Sequence, residues 1–143
     1  MTILKKHLYL LFLLSVVGLS QESVDIKSLH LQNEIYYQAN STTPYSGSVY
    51  SLYDTGEILV KGFLVNGKWE WSDMFYKNGQ KQFENHYKKG LRHGIQLWWY
   101  DNGQLKSSQS YKNGILDGVS KSWWPDGKIM GHNIYANGVL QNK

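Results

Sequence analysis

The chain has 143 residues, with 15 Lys+Arg against 11 Asp+Glu, 14 Gly, 2 Pro and no Cys. This length holds one domain or a short repeat array, and the lack of Cys excludes a disulfide framework, a zinc ribbon, thiol chemistry and a lipid anchor on an N-terminal cysteine. Aromatic residues reach 15%, with 6 Trp and 11 Tyr, while strong helix formers are sparse.

At the N-terminus, Lys5 and Lys6 precede an apolar run from Leu8 to Leu19 that ends in Gly18-Leu19-Ser20. A positive start, a short apolar stretch and small residues at its end have the form of a secretory signal peptide over residues 1–20. The run falls short of the ~20 residues that a membrane-spanning helix needs. Cleavage near Ser20 leaves 123 residues and removes both lysines, so the formal net charge drops from +4 to +2. The expected location is periplasmic or extracellular. No basic block survives in the mature chain, which argues against nucleic acid, and a net charge of +2 gives weak attraction to an anionic membrane surface.

Residues 21–46 read as an N-terminal capping segment and loop. Ile26, Leu29, Leu31, Ile35 and Tyr36 supply the apolar positions of the cap, and Ser41 to Pro44 join it to the rest. Residues 47–143 then repeat. The segments Tyr53-Asp54-Thr55-Gly56, Tyr76-Lys77-Asn78-Gly79, Tyr100-Asp101-Asn102-Gly103 and Trp124-Pro125-Asp126-Gly127 place their glycines 23, 24 and 24 residues apart. A second set, Gly67, Gly90, Gly114 and Gly138, has the same spacing, and a third, Gly47, Gly94 and Gly118, carries Trp71 in the remaining slot. Agreement of separate registers on one period marks a repeat array.

Each unit has room for two strands and two turns and for no helix. Thr55-Gly56 does not suit a two-residue type I′ turn, and Pro125 fits the second position of a type I turn, so the first turn is expected to be a three-residue loop closed by a glycine bulge. The expected fold is all-β: an elongated, single-layer antiparallel meander of about four 24-residue β-hairpin repeats, with about eight strands. Carrying the alternation through this turn groups Ile95, Leu97, Trp99, Leu105, Ser107 and Tyr111 on an apolar face. Gln96, Trp98, Tyr100, Lys106, Ser108 and Ser110 fall on a polar one. On that grouping Trp98→Ala is tolerated and Trp99→Ala is not.

The run Gly94…Trp99-Tyr100-x-Asn102-Gly103-x-Leu105…Tyr111-x-Asn113-Gly114-x-x-Asp117-Gly118 resembles the MORN-variant repeat family, whose proteins are often labelled antitoxin components of toxin–antitoxin modules. Thr43-Pro44-Tyr45-Ser46-Gly47 is similar to the family's lead into its first repeat. The resemblance covers about residues 36 to 143. It implies a β-hairpin scaffold with no catalytic residues of its own, possessing at most an antitoxin-like role.

The residues agree with the non-catalytic implication. His7, His30, His86, His93 and His132 have no metal-ligand spacing, so neither a metal nor another cofactor is expected. Asp54, Asp101 and Asp126 lie in turns, where Asp is common, and no nucleophile elbow, phosphate loop or dinucleotide fingerprint occurs. A surface remains. Tyr53, Tyr76, Tyr100 and Trp124 form one column, which Trp98 extends, and Trp69 lies beside the substituted Trp71. These are the candidate partner-binding residues, because exposed Trp and Tyr anchor interfaces. A protein partner in the cell envelope is the leading expectation; a cell-wall or glycan ligand stacked on the aromatic column is the alternative.

Overall fold

The chain reverses at two kinds of tight turn, each dictated by its residues. Tyr53, Tyr76, Tyr100 and Trp124 donate their N–H groups to the carbonyls of Glu57, Gln80, Gln104 and Lys128, and receive at their own carbonyls the N–H groups of Gly56, Gly79, Gly103 and Gly127, all at 2.8–3.0 Å. These glycines have φ between 82° and 97°. The geometry is the expected three-residue loop with a glycine bulge. The second kind is a two-residue turn at Asn66-Gly67, Lys89-Gly90, Asn113-Gly114 and Asn137-Gly138, with first-position φ of 50–55° and glycine φ of 72–86°. Positive φ at both positions defines type I′, which matches the twist of the flanking strands.

The computed structural model describes residues 22–141; the segment read as a signal peptide lies outside them. In chain order the strands are β1 Val24–Asp25, β2 Leu29–Gln32, β3 Ile35–Gln38, β4 Gly47–Leu52, β5 Ile58–Val65, β6 Lys68–Phe75, β7 Lys81–Lys88, β8 Leu91–Arg92, β9 Gly94–Trp99, β10 Leu105–Lys112, β11 Ile115–Trp123, β12 Ile129–Ala136 and β13 Val139–Leu140, with a 3-10 turn at Ile26–Ser28. One sheet of 11 strands runs β1-β4-β5-β6-β7-β9-β10-β11-β12-β13, with β8 against β7, while β2 and β3 form a separate hairpin. From β4 onward the neighbours are antiparallel and follow chain order, the short β8 alone standing off the path against β7, so the meander holds; β1 alone joins in parallel, beside β4.

Among the described residues the buried hydrophobic side chains are Tyr45, Val49 and Leu64, all near the N-terminal end of the sheet. Val24, Ile26, Leu29, Tyr36 and Trp69 pack against them. The β2–β3 hairpin is held there by backbone bonds: Tyr36 N–H to Gly67 O at 2.9 Å, Tyr45 N–H to Tyr36 O at 2.9 Å and Gly67 N–H to Tyr45 O at 2.7 Å. A Cβ on Gly67 would lie 2.4 Å from Ile35 Cγ2 and 2.7 Å from Tyr36 O, so glycine is required for the close approach as well as for φ.

The strands depart from simple alternation most regularly just after the three-residue loops, with further register shifts at Phe63/Leu64 and Gln109/Tyr111. In the hairpin after Trp99, Leu105 faces Trp99 but Ser107 faces Trp98, leaving Lys106 unmatched. Leu59, Gln82 and Met130 are skipped in the same way in the other hairpins. Each is a β-bulge, and one extra residue moves every later side chain of that strand to the other face. The sequence-based grouping of faces is corrected accordingly. Gln96, Trp98 and Gly94 pair with Gln109, Ser107 and Tyr111, while Leu97 and Ile95 pair with Ser108 and Ser110. The side expected to be apolar is the more open at β9: Ile95 is 56% exposed, and its neighbour Gln96 is fully buried. The Gln96 amide stands in for a missing backbone rung, with Oε1 accepting from His86 N–H at 3.1 Å and Nε2 donating to His86 O at 2.9 Å.

Trp98 is half-buried and packs edge-on against Phe83, with centroids 6.1 Å apart and an interplanar angle of 87°. Loss of this ring and its covered area should cost about 1–3 kcal/mol. Trp98→Ala is therefore expected to lower the thermal midpoint about as much as Trp99→Ala; a midpoint unchanged by Trp98→Ala would restore the simpler grouping of faces.

Candidate functional site

The aromatic column is first of all a set of ties between successive hairpins. The Tyr53 hydroxyl donates to Phe75 O at 2.8 Å, Tyr76 to Trp99 O at 2.9 Å and Tyr100 to Trp123 O at 3.0 Å. Each acceptor immediately precedes the next member of the column. A parallel tie joins the turns: Asn78 Nδ2 donates to Asp101 O at 2.9 Å, and Asn102 Nδ2 to Pro125 O at 3.2 Å. Those asparagines also cap their own turns, through Oδ1 accepting from Gln80 and Gln104 N–H at 3.0 Å.

The last unit drops both donors. Trp124 replaces tyrosine and Asp126 replaces asparagine, and the Asp126 carboxylate keeps the local cap, accepting from Lys128 N–H at 3.0 Å, and pairs with Lys128 Nζ at 2.9 Å. The sequence carries this change in Tyr-Tyr-Tyr-Trp and in Asn-Asn-Asp.

The candidate residues therefore divide. Tyr53, Tyr76 and Tyr100 are half-buried with their hydroxyls engaged, and Lys77 and Lys106 lie over the Tyr53 and Tyr100 rings at 5.4 and 5.3 Å. Trp98 packs on Phe83 with Arg92 6.0 Å above its ring. Trp69 packs edge-on against Tyr36 at 5.9 Å and lies over Gly62, where a Cβ would be 2.5 Å from the indole. Trp124 is 51% exposed. The structure brings the column together along one turn edge and places Trp69 apart, at the opposite turns. The turn glycines Gly56, Gly79, Gly103 and Gly127 line the first edge, and Gly67, Gly90, Gly114 and Gly138 the second.

Sequence reasoning missed a set of open apolar positions in the C-terminal half. Ile95, Val119, Ile129 and Ile134 are exposed, and the register joins Val119 to Ile134 and Trp123 to Ile129. It was hidden because the recurring bulge decides which residues share a face. Trp71, in the place of a repeat glycine, pairs with Phe63 and His86 and lines a groove with Tyr50, Leu52 and Ile58.

Among the described residues no three His, Asp or Glu side chains gather in a metal-binding group. The densest charge cluster is an ion-pair chain: Lys81 Nζ lies 2.8 Å from Asp73 and 2.7 Å from Glu84, and His86 Nε2 lies 3.3 Å from Glu84. The hydrogen bond from Lys81, aided by His86, holds the Glu84 carboxyl below its ordinary value despite partial burial. Burial acts to lower Lys81, but its bonds to Asp73 and Glu84 outweigh that and leave it raised. Satisfied on all sides, this cluster braces β6 against β7.

Residues 92–113 and 116–137 match the family of the MORN repeat variant. MORN repeats are a non-catalytic repeat type generally associated with scaffolds that bind proteins or membranes. A comparison with curated proteins finds no match.

The ion-pair chain gives stability a defined pH dependence. A carboxyl held low contributes fully above its unfolded value, near 4.5, and loses that contribution as pH falls through the folded value; a raised lysine contributes fully below 10.5 and loses it as pH rises further. The thermal midpoint is expected to be flat across neutral pH and to fall on acidification below about pH 4.5. Glu84→Gln should flatten part of that acid fall in calorimetric scans, and an identical acid profile in the variant would contradict the assignment.

Proposed function

We propose that this protein is a non-catalytic scaffold of the cell envelope that binds a partner polypeptide on its β-repeat surface. The observation that carries the reading is the balance of apolar surface. Among the described residues, 12 large hydrophobic side chains are exposed and 3 hydrophobic ones are buried. Singly exposed apolar residues are ordinary, but Val119–Ile134 and Trp123–Ile129 are register pairs of β11 and β12 that flank the exposed Lys121–His132 pair, and clustered apolar side chains rimmed by polar ones mark interaction sites. Trp124, with 51% exposure and no hydroxyl tie, lies at the turn beside Trp123. Export follows from the signal-peptide form of residues 1–20, which sets the partner's compartment.

A sugar-stacking role is less well supported. Glycan platforms need flat open rings, whereas the ring pairs Tyr36–Trp69 and Phe83–Trp98 meet edge-on at 75° and 87°. Lysines cover two of the column tyrosines. An antitoxin-like role is one form that protein binding can take; in an exported chain the target would have to share its compartment.

The test immobilises the mature protein and challenges it separately with envelope extract and with purified cell wall. The expected outcome is capture of one identifiable polypeptide in near-stoichiometric amount, lost in a Trp124→Ser/Ile129→Ser double variant that keeps the wild-type melting profile. Retention on purified cell wall with no captured polypeptide would overturn the proposal in favour of glycan binding. N-terminal sequencing of the envelope form should start near Gln21, and an intact Met1 would contradict export by cleavage.

A further inference from the structure

Among the described residues, seven non-glycine positions have positive φ, and five of them are asparagine; the exceptions are Glu34 at 63° and Lys89 at 55°. Asparagine tolerates this left-handed region because its short amide bonds locally, whereas a long charged side chain has no such compensation. Each exception breaks the rule of its turn. Glu34 is the second residue of the Asn33-Glu34 turn, where the repeat turns carry glycine, and Lys89 is the first residue of Lys89-Gly90, where Asn66, Asn113 and Asn137 stand in the others. Although distant in sequence, Glu34 and Lys89 line the same cleft, together with Leu31, Tyr36, Lys68 and Trp69. Backbone strain persists where function retains it, and local rules broken at one shared place point to a site.

The chemistry of the cleft is specific. Its floor is the edge-on pair of Tyr36 and Trp69, 5.9 Å apart. Leu31 and Leu91, each 53% exposed, stand at its margins. The Lys68 stem runs against the Lys89-Gly90 turn, with its Cδ 3.2 Å from where a Gly90 Cβ would sit, so two ammonium-bearing chains share one rim. Among the described residues neither lysine is within 4.0 Å of a carboxylate, Glu34 and Glu70 included. An unneutralised cationic pair beside an aromatic floor is complementary to a carboxylate carried next to an apolar group.

We infer that this cleft binds an extended segment of a partner polypeptide in which an acidic residue adjoins an apolar one. The carboxylate bridges Lys68 and Lys89, and the apolar side chain lies on Tyr36 and Trp69 between the two leucines. Glu34, on the same lining, selects against a run of acids by like-charge repulsion. The inference rests on the scaffold reading above and locates a contact for it, at the turn edge opposite the aromatic column.

The test titrates the purified protein with acetyl-Gly-Leu-Glu-Gly-amide, its Gln counterpart and glucuronic acid, following the Gly90 amide and Trp69 indole signals by NMR. The Glu peptide should shift both signals saturably. Binding should weaken at least fivefold for the Gln peptide and for Lys89→Asn, while Lys89→Asn relieves the strained turn and raises the thermal midpoint by about 2–4 °C. A gain in stability joined to a loss of binding separates ligand contact from a structural role. No saturable shift with the Glu peptide, undiminished binding by Lys89→Asn, or equal shifts with glucuronic acid would each overturn the inference. If the peptide fails while capture through Trp124 and Ile129 survives, the cleft assignment falls and the scaffold reading stands; if capture fails, the scaffold reading falls independently.

Discussion

A tyrosine hydroxyl that reaches the next hairpin's backbone is the interaction on which this structure depends. With Tyr45, Val49 and Leu64 as the buried hydrophobic side chains among the described residues, there is little core to hold successive hairpins together. Isolated hairpins are marginal in water. The hydroxyls of Tyr53, Tyr76 and Tyr100 each satisfy a carbonyl at 2.8–3.0 Å in the following unit, and the Asn78 and Asn102 amides repeat the link between turns. A hydrogen bond of this kind contributes about 1 kcal/mol, a large share of the coupling available between units that share one thin layer. It also fixes chemistry at the column: phenylalanine would preserve the ring and lose the tie.

Spacing and surface follow from the same constraint. The donor must meet the carbonyl just before its counterpart, so the period cannot drift by more than the single residue by which the first interval differs. The ties stop at Trp124 and Asp126, which lack the donors. With one turn edge occupied by these ties, the exposed side chains lie at Trp124, on the sheet face around Val119 and Ile134, and at the opposite turn edge, where Lys89 and Glu34 depart from turn chemistry. On the proposal above, the contacts lie at Trp124, on the open sheet face and at the opposite turns, away from the tyrosine hydroxyls.

The turns were legible in the sequence because glycine with positive φ is a chemical requirement that leaves a fixed residue behind. The period, the meander and the three-residue loop with Gly103 could all be read from that. The faces were not legible. The bulged residues Leu59, Gln82, Lys106 and Met130 have no side-chain type in common, since a bulge is a backbone property there. One unseen residue per hairpin was enough to exchange the sides of Ser107 and Ser108 and to hide Ile95. Gln96 was equally opaque: its role as a substitute backbone rung exists only because β7 and β9 part company near His86. The hydroxyl ladder was written in the sequence, but recognising it required the carbonyl acceptors to be in place.

Native-state hydrogen exchange on Tyr76→Phe tests the central claim most directly. In the wild type the amides of β4–β7 and β9–β12 should open with one common free energy. Removal of the single hydroxyl should lower protection by about 1 kcal/mol and split the two groups, with β9–β12 opening separately. Unchanged, still-common opening in the variant would show that the hairpins are coupled by something other than the tyrosine ties.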